Sequence, residues 1–210
     1  MKAQILATVA SAALLAGCSA AYGEDIETMA EANTETTAIP AGTGYFAADS
    51  TLPFKTPDFS RISEEDYVPA FEQGMAIQKA EIAAIIDNPA PPTFENTIVA
   101  LEKSGRMLGR VSTVFFHLTG TNTTDRLDEI NTEISPKLSA HSDSITLNPE
   151  LFARVKAVYD NRAAMAMTRE DARLLEETYQ GMVHAGALLT EAERERVKQI
   201  NSELSEITTE

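Results

Sequence analysis

The chain has 210 residues, 43% hydrophobic and 23% charged, a globular composition that excludes a wholly disordered or fibrous protein. Asp and Glu number 32 against 17 Lys and Arg, and the net charge of −15 speaks against gripping a nucleic-acid backbone or docking on an anionic membrane through a basic patch. The single cysteine excludes an internal disulfide framework and a Cys-rich zinc module, and no stretch reaches the roughly 18–20 apolar residues of a spanning helix.

The chain opens as an address. Lys2 gives a positive start, and Ile5 to Ala16 is a short apolar run interrupted by Thr8 and Ser11, the anatomy of a signal peptide over residues 1–17. The sole cysteine follows in Leu15-Ala16-Gly17-Cys18, which resembles the bacterial lipobox. Lipidation at Cys18 is therefore expected, with the mature protein anchored in the cell envelope. Ser19 stands where an Asp would suggest inner-membrane retention, so the resemblance implies the outer membrane, on its periplasmic side. The competing reading is an ordinary secretory signal cleaved near Ala20 or Ala21.

From residue 19 to about 50 the chain carries six acidic residues (Glu24, Asp25, Glu27, Glu31, Glu35, Asp49) and no Lys or Arg. Tyr22, Tyr45 and Phe46 are its only aromatics. Such a stretch buries too little apolar surface to offset its ordering entropy, so residues 18–50 are expected to form a disordered acidic tether, a spacer without chemistry. Its reach would be about 30 Å.

From Thr51 the pattern becomes helical, and residues 51–210 are read as one helical domain. Pro53 and Pro57 predict an extended strap with Phe54 and Phe59 free to dock. Ser63-Glu64-Glu65-Asp66 caps a helix carrying Tyr67, Ala70, Phe71, Met75, Ile82, Ile85 and Ile86, stopped by Asn88-Pro89 and Pro91-Pro92. A second helix is predicted from Thr93 to Gly120, its stripe Phe94, Ile98, Leu101, Leu108, Val111, Phe115 and Leu118. A third runs from Thr124 to about Ile145 through Leu127, Ile130, Ile134 and Leu138, with a kink at Pro136. Asn148-Pro149-Glu150 caps a fourth containing Leu151, Phe152, Val155, Val158 and Tyr159. Thr168 to Asp171 and Thr190 to Glu193 are starts of two more, each with an acid three residues after the Thr. No strand alternation appears after residue 60, so the expected fold is all-α, an antiparallel helical array. The last helix has a clean seam of Val197, Ile200, Leu204 and Ile207 and no closing Gly, Asn or Pro before Glu210, which reads as truncation and predicts an exposed apolar face.

The residues offer little catalytic chemistry. His117, His141 and His184 are far apart, and none stands in a His-Glu-x-x-His, where two imidazoles on one helix face grip zinc. His141 and Asp143 are two apart and so point to different helix faces, and His117 reads as a core or surface residue. No Gly-x-Ser-x-Gly elbow, phosphate loop or dinucleotide fingerprint occurs. The carboxylates Glu64, Glu65 and Asp66, and Glu191, Glu193 and Glu195, fall in first helical turns and read as capping groups. Gly105 and Gly109 read as a close helix-packing pair. No catalytic and no metal-binding residue is assigned.

Several stretches nevertheless resemble, in order, the N-terminal portion of the M3 family of zinc oligopeptidases, in its peptidyl-dipeptidase form. They are Ser50-Thr51-Leu52-Pro53-Phe54-Lys55-Thr56-Pro57-Asp58-Phe59, Asp66-Tyr67-Val68-Pro69-Ala70-Phe71-Glu72-Gln73-Gly74-Met75, and Phe94-Glu95-Asn96-Thr97-Ile98-Val99-Ala100-Leu101-Glu102-Lys103-Ser104-Gly105. Val111-Ser112-Thr113-Val114-Phe115-Phe116 and Leu147-Asn148-Pro149-Glu150-Leu151-Phe152-Ala153-Arg154-Val155 complete them. The resemblance implies an all-α, two-lobed metallopeptidase with a deep channel, removing C-terminal dipeptides from short peptides. It implies zinc in the full-length enzyme, with ligands and general base beyond the end of this sequence, so no family catalytic residue maps onto this chain. The implied partners are short peptides, the missing C-terminal catalytic region and a membrane reached through the lipid anchor, with no nucleic acid. The alternative reading is a non-catalytic, lipid-anchored helical module that binds peptides or a protein.

Overall fold

A computed structural model describes residues 39–208. The signal peptide expected over 1–17, Cys18 and the first part of the expected tether lie outside the described residues. Within them the chain is all-α, with no strand.

Each helix starts where local chemistry dictates. The Ser63 N–H and hydroxyl both donate to the Asp66 carboxylate at 2.8 Å. One 3-10 turn, Glu64–Asp66, then feeds α1, Tyr67–Ile86. Thr93 and Asn96 cap each other reciprocally, and a π-helical stretch, Phe94–Val99, leads into the short α2, Ala100–Lys103. Then follow α3 (Arg106–Thr121), α4 (Asp125–Thr146), α5 (Pro149–Asp160), α6 (Arg169–Ala185) and α7 (Glu191–Ile207). Side chains of Thr124, Asn148, Thr168 and Thr190 accept from the first-turn amides of the last four, as the sequence predicts. The hydrogen-bonded helix α4 runs through Pro136.

The single helix expected from Thr93 to Gly120 is broken. Gly105, at φ +69°, sits in the left-handed region between α2 and α3. The apolar stripe reads through because Phe94 and Ile98 serve one core cluster while Val111 and Phe115 serve another.

Helices α1 and α3 run antiparallel. Tyr67 meets Phe115 edge to face at 5.1 Å, while the Glu81 carboxylate accepts the Gly105 N–H at 2.7 Å near the other ends. Gly74 is where they approach, since a Cβ there would lie 2.9 Å from the Leu108 Cα. Gly109 has open space where its Cβ would be, so the close-packing reading of the Gly105–Gly109 pair fails at Gly109. Helix α4 runs alongside α1 in the same sense, with Glu65 to Arg126, Glu72 to Lys137 and Gln78 to His141 in matched order. The first core cluster holds Phe46, Tyr67, Phe71, Val111, Phe115 and Ile130, and the second forms around Ile98, Leu151, Val155 and Leu175.

Two expectations near the start of the domain are corrected. The tether expected to reach residue 50 is folded at its end: Tyr45–Ala47 is a 3-10 turn and Phe46 is 2% exposed among Tyr67 and its neighbours. Burial of Phe46 and the Arg110 hydrogen bonds to the Phe46 and Ala47 carbonyls oppose the ordering entropy of this short piece. The strap over Thr51–Asp58 is not extended and does not dock its phenylalanines. Phe54 is fully exposed and Phe59 is 53% exposed. Phe54 and Lys55 both sit at φ +57°, where non-glycine residues cost on the order of 1–3 kcal/mol each.

Candidate functional site

The folded end of the acidic segment creates a hollow of about 440 Å³ against α3. Tyr45, Phe46 and Val114 give it an apolar wall, and Asp49, Lys55, Arg106 and Arg110 give it charge. Asp49 lies 2.6 Å from the Lys55 Nζ, 3.1 Å from Arg110 and 3.5 Å from Arg106. Three cations thus share one carboxylate, in a chain whose net charge is −15. Their proximity, Lys55 foremost, holds the Asp49 carboxyl below its ordinary value, so it stays ionised near neutrality.

The cations differ in what occupies them. Arg110 donates to the backbone carbonyls of Phe46 and Ala47 at 2.8 and 2.7 Å as well as to Asp49, and so staples the segment onto α3. Lys55 and Arg106 pair with the Asp49 carboxylate, and both side chains are about two-thirds exposed. A second hollow, between α1 and α4, contains His141, Lys79 and Lys137, but Lys137 is paired with Glu72 and Glu133.

The three histidines do not meet. His117 is exposed near the end of α3, and His184 is exposed in the last turn of α6. The His141 Nε2 lies 2.8 Å from the Gln78 Oε1, and burial, with Lys79 nearby, pushes its pKa down. Asp143, buried on another face of α4, accepts from the Asn201 amide of α7 at 2.8 Å. The acidic runs do cap helices and make surface pairs: Asp66 caps Ser63, Glu65 pairs with Arg126, Glu193 caps Thr190 and Glu195 pairs with Lys198. Among the described residues no three His, Cys, Asp or Glu side chains converge as a metal site.

Sequence reasoning missed Asp49, Lys55, Arg106 and Arg110. Asp49 was assigned to the spacer, and its partners come from up to 61 residues away. The available signal was Tyr45-Phe46, an aromatic pair at the end of an otherwise small, polar stretch.

No family model matches the chain. It is 43% identical over 165 residues to the dipeptidyl carboxypeptidase of Escherichia coli (strain K12), covering 79% of this chain and 24% of that protein. The dipeptidyl carboxypeptidase of Salmonella typhimurium (strain LT2) is 43% identical over 154 residues, 73% of this chain and 23% of its own length. Oligopeptidase A of Escherichia coli is 23% identical over 155 residues, 74% of this chain and 23% of that protein. The chain thus spans about a quarter of the length of these curated relatives.

Proposed function

This chain is related to the M3 family through its dipeptidyl carboxypeptidases, and from that premise we propose that it is a helical region of a zinc-dependent peptidyl-dipeptidase acting on short peptides. The single observation that carries the reading is 43% identity sustained over 165 residues. That identity supports a shared helical fold over the matched stretch, and the peptidyl-dipeptidase chemistry is proposed for the full-length protein.

The described residues do not fit the zinc that the family implies. A catalytic zinc takes three protein ligands, and no such group of donors comes together among them. The 210-residue sequence also contains no His-Glu-x-x-His. No catalytic step is therefore assigned to this chain, and alone it is inactive in this proposal. Its own residues form helical wall and contact surface, and the metal chemistry belongs to the rest of a full-length enzyme. The Leu-Ala-Gly-Cys run ending at Cys18 supports a lipid anchor and a place in the cell envelope. The marked acidity supports short peptides as partners over nucleic acid.

Expressing the complete coding frame tests the reading. Its product is expected to release C-terminal dipeptides from N-blocked short peptides and to lose that activity to a chelator. A frame that supplies no His-Glu-x-x-His, or a product that binds such peptides without cleaving them, would leave the non-catalytic module instead.

A further inference from the structure

We propose that the hollow between the Asp49–Lys55 strap and α3 binds the carboxylate of a short peptide, with Lys55 and Arg106 as the recognising cations. The class of ligand rests on the peptidase reading. The site itself rests on three observations of this chain.

The first is charge. An acidic protein gathers three cations around one carboxylate on the wall of one hollow, leaving that spot positive. Arg106 is also the first residue of α3, where the helix end adds partial positive charge. The hollow between α1 and α4 differs, because Glu72 and Glu133 both neutralise its Lys137.

The second is availability. Arg110 is committed to two backbone carbonyls, which explains its presence structurally. Lys55 and Arg106 hold no backbone and cap no helix, so stapling the segment does not account for them. Their exposed ammonium and guanidinium retain donors for an incoming carboxylate.

The third is strain. Phe54 and Lys55 are the described non-glycine residues with positive φ, and they are adjacent. That backbone turns the Phe54 ring wholly into solvent while Lys55 reaches Asp49 at the rim of the hollow. Backbone held in such conformations concentrates at ligand clamps. The volume, about 440 Å³, suits a peptide end with one apolar side chain against Tyr45 and Val114.

The carboxylate could be a peptide C-terminus or an Asp or Glu side chain. Titration of the 210-residue chain by NMR or calorimetry would use three probes: an N-acetylated tripeptide with a free C-terminus, its C-terminal amide, and an amidated tripeptide carrying one Glu. Binding is expected for the free terminus, the Glu peptide or both, which identifies the source, and it should weaken as salt rises. Lys55→Gln with Arg106→Gln should weaken it about tenfold or more, since each removes a charge-assisted hydrogen bond. Lys55→Gln with Arg106→Lys should recover part of the loss, and Lys198→Gln, on α7, should change nothing. Both hollow side chains are exposed, so the double variant should keep its thermal midpoint. Equal binding of the uncharged amide, no binding of any probe, or full affinity in the double variant would overturn the proposal. No hydrolysis is read here, so an inactive full-length product would sink the peptidase reading while leaving this site standing.

Discussion

The two ends of the described chain invert the usual relation between regularity and burial. Residues 39–50 are almost without regular structure, yet Phe46 is 2% exposed and Arg110 donates to two of the segment's carbonyls. Helix α7 is seventeen residues of regular helix with a reciprocal Thr190–Glu193 cap, yet none of its residues is buried. Its contact with α4 includes the Asn201–Asp143 hydrogen bond, while Ile200, Leu204 and Ile207 remain exposed. Capping and propensity are enough to draw a helix. Only tertiary burial makes a segment part of the core, and most helical stability in proteins comes from such packing.

That contrast can be broken by single substitutions, and the largest effect belongs to the irregular end. Phe46→Ala removes a ring packed on Tyr67 and should cost about 3 kcal/mol in chemical denaturation, with the cavity as part of the loss. Arg110→Gln leaves the Phe46 and Ala47 carbonyls without their donor. A loss of about 2 kcal/mol is expected, with faster amide exchange confined to the segment before Ser50. If both variants were neutral, the segment would be a tether after all.

Effects on α7 should be smaller. Thr190→Ala removes the hydroxyl half of its cap and should cost about 1 kcal/mol, seen as fraying of the helix start. The same cap should depend on acid. Hydrogen bonds from Thr190 hold the Glu193 carboxyl below its ordinary value of 4.5, so its contribution is complete above that pH and disappears as pH falls through the lowered value. Exchange at the start of α7 should accelerate there, and Thr190→Ala should keep much of that dependence, because its backbone N–H still donates to the Glu193 carboxylate. Smallest of all, Leu204→Lys should alter stability by no more than about 0.5 kcal/mol, because the side chain is already 53% exposed. Its effect should appear in self-association instead, measured by sedimentation.

The same division explains what the sequence disclosed. Caps at Thr93, Thr124, Asn148, Thr168 and Thr190 are local chemistry within four residues, and the helix starts were readable from them. Of the predicted α5 stripe, Leu151, Phe152, Val155 and Val158 are buried and Tyr159 is partly buried against the same cluster. The break at Gly105 was hidden because Phe94 to Leu118 keep a helical rhythm while serving two different clusters. The docking of residues 39–50 was hidden because composition averages over a window, and two aromatics among small polar residues vanish in that average. The cationic hollow was least legible. Asp49 and Lys55 meet Arg106 and Arg110 only after the segment folds back onto α3, and no spacing motif encodes such a meeting.

We propose that this chain supplies helical wall and a peptide contact while the catalytic group lies elsewhere in a full-length enzyme. The most direct measurement is release of C-terminal dipeptides from an N-blocked tetrapeptide by the purified 210-residue chain, with zinc supplied and then removed by a chelator. The account predicts no release in either condition. Zinc-dependent release abolished by the chelator would contradict it, and would mean that this chain assembles its own zinc ligands.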